Sequence, residues 1–369
     1  MMRAQFEGFL IREWQRRSGW QLLLQPFAWL FAVLTSSRRL LYRLKFLKST
    51  PSTVPVIVVG NISVGGTGKT PLVIALGSAL LAQGRHVGIV TRGYAPHRSV
   101  SDEVALMSRR SAAPVVANAR RVAAVEQLLA RYPATNIVIS DDGLQHYALG
   151  RDIEIAVVDG TRGFGNGYLL PAGPLRENLA RLRSVDCIVV NDTNINPSIG
   201  GVFKAIVAEE PLPGLRLHNE KTVLAHNLMY LLAATGKPVF HMTYGHESFS
   251  PLMQHQNLGV EPFHFLVRGK RVAAVAGIGH PERFFTHLET LGITLDSRHA
   301  FPDHHPFVAS DLDAIDADLI LMTEKDAVKC AHLMLLSAHR VWQMHIDALL
   351  PEPFYEFIVA QLEKISHVA

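Results

Sequence analysis

One motif constrains this fold more than any other. Residues 58–70 read Val-Val-Gly-Asn-Ile-Ser-Val-Gly-Gly-Thr-Gly-Lys-Thr. An apolar, β-branched run at Val54–Val59 leads into it, and helical spacing over Pro71–Gln83 leads out. Gly65, Gly66 and Gly68 carry no Cβ, so the backbone can curl and aim successive N–H groups at anionic oxygens. The helix that follows points its positive end at the same place. Ser63, Val64, Gly65, Gly66, Thr67, Gly68, Lys69 and Thr70 therefore read as a phosphate-binding loop. Lys69 is expected to reach the β- and γ-phosphates of a nucleotide, and the Thr70 hydroxyl to hold Mg²⁺. The strict pattern asks for glycine five residues before Gly68, where this chain has Ser63.

Such a loop belongs on a parallel sheet, and the rest of the chain supplies one. Val87–Val90, Asn136–Ile139, Ile153–Val158 and Cys187–Val190 read as further strands, and Val122–Arg131 as a helix. The pattern loosens near Pro211, Pro213 and Gly214, then resumes with a strand at Val272–Ala276, a helix at Pro281–Leu291 and a strand at Leu319–Met322. The expected division is a basic helical segment (1–50), a P-loop domain (51–212) and a second α/β domain (213–369).

The net charge of +4 is unevenly placed. Residues 1–50 hold nine Lys and Arg against two acids, Glu7 and Glu13, so the basic character sits at one end. Within that end Ser18–Thr35 is uncharged and rich in Trp, Phe and Leu, with arginines on both sides. Gln21, Gln25 and Pro26 interrupt it, and it falls short of the ~20 apolar residues of a clean membrane span. It reads as an amphipathic helix lying at a membrane surface; a buried helix and a true span are the alternatives. The two cysteines, Cys187 and Cys330, have neither disulfide-framework nor metal-site spacing and suit a reducing compartment.

A P-loop enzyme also needs an acid at a neighbouring strand end to orient Mg²⁺. Asp141–Asp142, Asp159 and Asp192 all have that placement. Adjacent carboxylates repel unless a cation lies beside them, which favours Asp141–Asp142.

Asp-Asp-Gly-Leu-Gln-His (141–146) with Leu149, Arg151 and Asp152, together with Gly-Asn-Gly-Tyr-Leu-Leu-Pro-Ala-Gly-Pro-Leu-Arg-Glu (165–177), resembles the tetraacyldisaccharide 4′-kinases of lipid A biosynthesis. Residues 275–285, 301–307 and 322–330 carry similar segments in the same order. The resemblance implies transfer of the γ-phosphate of ATP to the 4′-hydroxyl of a tetraacyldisaccharide 1-phosphate. It also implies two α/β/α domains and a place on the cytoplasmic face of the inner membrane, touching anionic lipid. It puts the catalytic carboxylate at Asp102, partnered by His304 or His305. Glu103 and Asp141 would join Thr70 around Mg²⁺, and Asp142 and His146 would line the acceptor side. No nucleic acid and no obligate protein partner are implied. The segment 101–104 reads Ser-Asp-Glu-Val where the family usually has Gly-Asp-Glu-Pro, Tyr168 stands for a usual Arg, and Asn178 for a usual Pro.

Two other classes remain to be weighed. A nucleotide-driven switch would hydrolyse ATP without a lipid acceptor; a GTPase would carry an Asn-Lys-x-Asp motif, and Thr323-Glu324-Lys325-Asp326 has the wrong order. A nucleic-acid module would interleave exposed aromatics with its basic residues, whereas here the aromatics occupy the uncharged run between the basic clusters. His241, His246, His255 and His264 are irregularly spaced and form no zinc pattern.

Overall fold

The computed structural model describes residues 10, 13–15, 18–93, 102–191, 228–252, 257–335 and 338–366. Asp192, the expected boundary at 211–214, and Arg3, Arg12, Arg16 and Arg17 lie outside them. The chain divides into two compact units: Met1–Arg92 with Ser111–Thr243 and Leu349–Ala369, and Gly93–Arg110 with Tyr244–Ala348.

The first unit is a parallel sheet in the order β3-β2-β4-β1-β5-β6-β7. Its strands are β1 (Val56–Gly60), β2 (Val87–Thr91), β3 (Val115–Ala117), β4 (Ile137–Asp141), β5 (Ile153–Asp159), β6 (Cys187–Asn191) and the start of β7 (Val239–Pro251). β1 is buried throughout, as its run of Val and Ile requires of a central parallel strand. The register pairs Val59 with Asp141, so β4 ends beside the point where β1 gives way to the loop. Ligands of open α/β sheets bind at these carboxyl ends. A Cβ on Gly60 would sit 2.7 Å from Leu144 Cγ, so only glycine lets the chain leave β1 under that side chain.

Helix α1 (Gln21–Arg43) extends well past the uncharged run that suggested it. Gln21 and Ala28 are buried, while Leu22, Leu23, Phe27, Trp29, Leu30, Val33 and Leu34 are exposed. A buried-helix reading is therefore wrong, and among the described residues no helix is long and apolar enough to cross a membrane. Polar contacts fasten α1 to its own unit: Gln21 Oε1 accepts from Asn166 Nδ2 at 3.1 Å, and Arg39 donates to Ser184 Oγ at 2.7 Å. The Tyr42 ring lies 5.7 Å from that of Tyr147.

Beneath Tyr147 is a buried ionic cluster. Arg181, only 2 % exposed, lies 2.6 Å from Glu154 Oε1 and 3.4 Å from Glu177 Oε2, and donates to Tyr147 Oη at 3.2 Å. Tyr147 in turn donates to Glu177. Burial, with the Glu177 charge beside it, pushes the phenol up to about 12.

The second unit orders its strands β10-β9-β11-β12, followed by the later part of β7. β9 (Val272–Ala276), β10 (Ser297–Ala300), β11 (Leu319–Thr323) and β12 (Val341–Leu349) run parallel, while β8 (Leu258–Gly259) pairs antiparallel with β7. Phe249 and Phe263 stack at 4.0 Å in its core. The division differs from the expected one in two places. Helix α2 (Lys69–Ala82) and helix α4 (Arg121–Arg131) stay with the first unit, but α3 (Asp102–Arg110) between them belongs to the second. The C-terminal helix (Glu352–Ser366) belongs to the first unit, where Phe354 and Phe357 pack on Phe240 at 5.4 and 5.7 Å. Aromatic burial, not chain order, decides that placement.

Arg181→Ala would leave Glu177 without its counter-charge and Glu154 with Arg151 alone. Breaking such a cluster costs about 3–5 kcal/mol, and denaturant unfolding should show a loss of that size; a loss under 1 kcal/mol would mean the cluster is not holding this unit together.

Candidate nucleotide and phosphoryl-transfer site

The loop between β1 and α2 has the conformation its glycines permit. Gly65 has φ +104° and Gly68 φ +91°, values that L side chains avoid. A Cβ on Gly66 would meet nothing within 4 Å, so the loop is open at that residue. Behind it, three successive carbonyls are held by side chains. Asn61 Nδ2 donates to Gly65 O at 3.4 Å, Arg162 Nη2 to Gly66 O, and Asn191 Nδ2 to Thr67 O at 3.0 Å. These donors stand at the ends of β1, β5 and β6. With the carbonyls engaged, neighbouring N–H groups are left to face an anion.

Arg162 owes its place to Asp159. That carboxylate accepts from Thr161 N at 3.0 Å, Arg162 N at 2.9 Å and Arg162 Nε at 2.8 Å. Asp159 is thus a strand-end turn residue that aims an arginine at the loop. Sequence reading gave Asn61, Arg162 and Asn191 no role, because a backbone acceptor several strands away leaves no spacing signature.

Lys69 and Thr70 open α2. Lys69 Nζ lies 3.6 Å from Asp142 Oδ1, and Arg176 Nη1 lies 3.3 Å from the same carboxylate. Asp141, the last residue of β4, is buried, and its carbonyl accepts from Arg121 Nη2 at 2.8 Å. The cations expected beside the acid pair are therefore Lys69, Arg176 and Arg121. Burial works against ionising Asp142, but the Lys69 and Arg176 charges outweigh it and hold the carboxyl below its ordinary range. Among the described residues no cluster of three His, Cys, Asp or Glu could hold a metal by itself. The oxygen donors that are present, the Thr70 hydroxyl and the Asp141 carboxylate, suit Mg²⁺ held chiefly by nucleotide phosphates and water.

Asp102, Glu103 and His304 belong to the second unit. Asp102 begins α3, and its Oδ2 lies 3.2 Å from His304 Nδ1 and 3.5 Å from Lys329 Nζ. Burial opposes the Asp102 charge, yet the His304 hydrogen bond and the Lys329 charge prevail and lower its pKa. His305 is occupied elsewhere, 2.9 Å from Asp311 and packed against Phe301 and Phe307. Geometry thus selects His304 as the partner of Asp102. Lys329, a residue given no role from sequence, is set by the fully buried Asp326 at 2.7 Å. Asp326 also accepts from Gly277 N at 2.8 Å and Thr323 Oγ1 at 2.7 Å. Asp142 (φ +49°) and His304 (φ +59°) are two of four non-glycine residues with positive φ among those described. Such strain collects at functional sites.

The fold and loop together define a P-loop nucleotide-binding protein of the α/β class. A family model described as tetraacyldisaccharide-1-P 4′-kinase matches residues 20–363. A tetraacyldisaccharide 4′-kinase of Methylobacillus flagellatus is 40% identical over 99% of this chain and 98% of its own length. One from Herminiimonas arsenicoxydans is 41% identical over 98% and 97%. Among solved structures, LpxK from Aquifex aeolicus in complex with ATP is 26% identical and superposes with a TM-score of 0.70 over 93% of this chain and 99% of its own. The chain belongs to the tetraacyldisaccharide-1-P 4′-kinase family.

His146 follows the acid pair, and burial, reinforced by the Arg121 and Arg92 charges, brings its pKa down to about 4. The unfolded chain would take up that proton near 6.5. Between these values the unfolded state binds more protons, so this residue's contribution falls as pH drops from about 6.5 towards 4. An NMR titration of the His146 ring should show a midpoint near 4; a midpoint near 6.5 would place it in open solvent.

Proposed function

We infer that this chain transfers the γ-phosphate of ATP to the 4′-hydroxyl of a tetraacyldisaccharide 1-phosphate, the phosphorylation step that yields lipid IVA in lipid A biosynthesis. The observation that carries the reading is the open glycine loop with Lys69 and Thr70 at its exit and the Asp141–Asp142 pair at the neighbouring strand end. Membership of the kinase family supplies the acceptor.

In this reading the loop N–H groups and Lys69 bind the β- and γ-phosphates. Thr70, Asp141 and Glu103 would hold Mg²⁺, which supplies charge neutralisation to the transferring phosphoryl group. Asp142 and His146 line the acceptor side. Asp102 accepts the proton of the 4′-hydroxyl as the oxygen–phosphorus bond forms and the bond to ADP breaks. A carboxylate held ionised is a weak base. That is sufficient here, because a loose transition state leaves the hydroxyl proton little altered until bond formation is advanced. His304 orients Asp102, and Lys329 keeps it charged.

The two compact units are read as two α/β/α domains, with divisions at 51–212 and 213–369 replaced by the units described above. α1, with its exposed Leu, Phe and Trp side chains and its arginines, is read as an amphipathic element resting on the anionic cytoplasmic face of the inner membrane. No nucleic acid or obligate protein partner enters this reading.

Detergent-solubilised protein with Mg-ATP and tetraacyldisaccharide 1-phosphate should add one phosphoryl group to the lipid, read by mass spectrometry. Lys69→Ala should lower that rate at least about a hundredfold, the usual effect of removing one transition-state charge contact. ATP hydrolysis without lipid phosphorylation would reject the kinase reading. In parallel, Leu23→Asp/Phe27→Asp/Leu30→Asp should release the protein from anionic vesicles; undiminished sedimentation with them would remove α1 from the membrane contact.

A further inference from the structure

The second unit contains a polar ring, buried on one side, that the proposed reaction does not use. It begins at the C-terminal end of α3. Arg109 Nη1 donates to Gln343 Oε1 at 3.1 Å, and Gln343 Nε2 donates to Ser250 Oγ at 3.1 Å. Ser250 Oγ lies 2.8 Å from His345 Nε2, and His345 Nδ1 lies 2.9 Å from Glu324 Oε1. Arg110 Nη1 donates to Glu324 Oε2 at 3.2 Å, which closes the ring, since Arg109 and Arg110 are neighbours in the chain. Arg110 also pairs with Asp347.

Ser250 accepts from Gln343 and meets His345 Nε2 through the same oxygen. His345 Nδ1 also lies 3.5 Å from Arg110 Nη1, so the imidazole sits between the serine hydroxyl and the Arg110–Glu324 pair. Ser250, Gln343 and His345 are buried, Gln343 completely. The serine-histidine-glutamate order matches that of hydrolytic triads. Ser250 is only 1 % exposed, however, and no substrate can reach its hydroxyl. A ring of contacts that crosses two helices and two strands serves to fix the parts it joins.

What it joins is specific. Glu324 is the first residue of α8 (Glu324–Cys330, following α5 at Val260–Val267, α6 at Pro281–Thr290 and α7 at Ala309–Asp313), and Lys329 lies near the other end of that helix. Arg110 ends α3 and Asp102 begins it. The pairs Arg110–Glu324 and Asp102–Lys329 therefore make α3 and α8 antiparallel, tied by one ion pair at each end. Over a helix about 13 Å long, a slip at the Arg110 end moves the Asp102 carboxylate by as much.

We propose that Arg110, Glu324, His345 and Ser250 are positioning residues for the phosphoryl-transfer reaction: the ring fixes the axial register of α3 and so aims Asp102. This rests on the reading of Asp102 as the proton acceptor. Every residue of the ring belongs to the second unit, so its loss acts on turnover alone.

The test measures kcat and KM for ATP of Ser250→Ala, His345→Ala, Arg110→Ala and Arg110→Lys, with thermal unfolding of each. The expected result is a kcat lowered about tenfold or more, with KM for ATP within twofold of wild type. Arg110→Lys, which keeps the charge on Glu324, recovers part of the rate. Wild-type kcat in the three truncations overturns the proposal. So does a fall in kcat matched by equal loss of ATP affinity and folded protein, or one that Arg110→Lys leaves unrecovered. Ser250→Ala removes one hydroxyl only and guards against misfolding of the larger truncations. Asp102→Asn, assayed beside them, separates the two ideas: full turnover there removes the reading of Asp102 itself, whereas lost turnover there with intact ring variants overturns the ring alone.

Discussion

A loop of bare peptide groups binds phosphate only if its carbonyls are kept away from the anion. In this chain that constraint is met by side chains from three strand ends, Asn61, Arg162 and Asn191, which take up the carbonyls of Gly65, Gly66 and Thr67. Much of the first unit follows from that requirement. β5 must end in Asp159 to aim Arg162, β6 must end in Asn191, and Gly65 and Gly68 must accept positive φ. The result is a cradle held by the protein's own side chains, and a loop held in this way costs little to order at binding.

The charges around the loop follow the same logic. Asp141 and Asp142 are adjacent, and Lys69, Arg176 and Arg121 lie around the pair, the first two on the Asp142 carboxylate and the third on the Asp141 carbonyl. The second unit repeats the device around Asp102, where Lys329 and His304 hold the charge and Asp326 holds Lys329. In both places a carboxylate is kept ionised and oriented by cations that are themselves fixed. Electrostatic preorganisation of this kind is what a phosphoryl transfer asks of its protein.

Much of this was legible in the residues, unevenly. β1 and β2 were readable because each is rich in β-branched residues, β9 because it is a short, wholly apolar run of Val and Ala, and the phosphate loop because glycine, lysine and threonine at fixed offsets serve no common structural purpose. β3, β10, β12 and α3 were not. β3 and β10 are short and half-exposed, and β12 mixes His, Gln and Asp among its apolar residues because it carries the polar ring. The unit boundaries were misjudged for a related reason: α3 joins the second unit through ion pairs and the C-terminal helix joins the first through Phe354, and neither contact has a sequence period. Asp102 came from family resemblance alone, while the choice of His304 over His305 needed the Asp311 contact that occupies the latter. The Thr323–Asp326 segment, compared with a guanine motif in sequence, is a helix N-cap in which Thr323 accepts from Asp326 N at 3.1 Å.

We propose that nucleotide binding resides in the first unit and proton acceptance in the second. Equilibrium binding of Mg-ATP to Asp102→Asn, paired with its single-turnover rate on the lipid acceptor, tests it most directly. The account predicts an affinity within about twofold of wild type and a rate lower by on the order of 10²–10⁴. Affinity and rate falling together would make Asp102 part of the nucleotide site, and an unchanged rate would remove it from the chemistry.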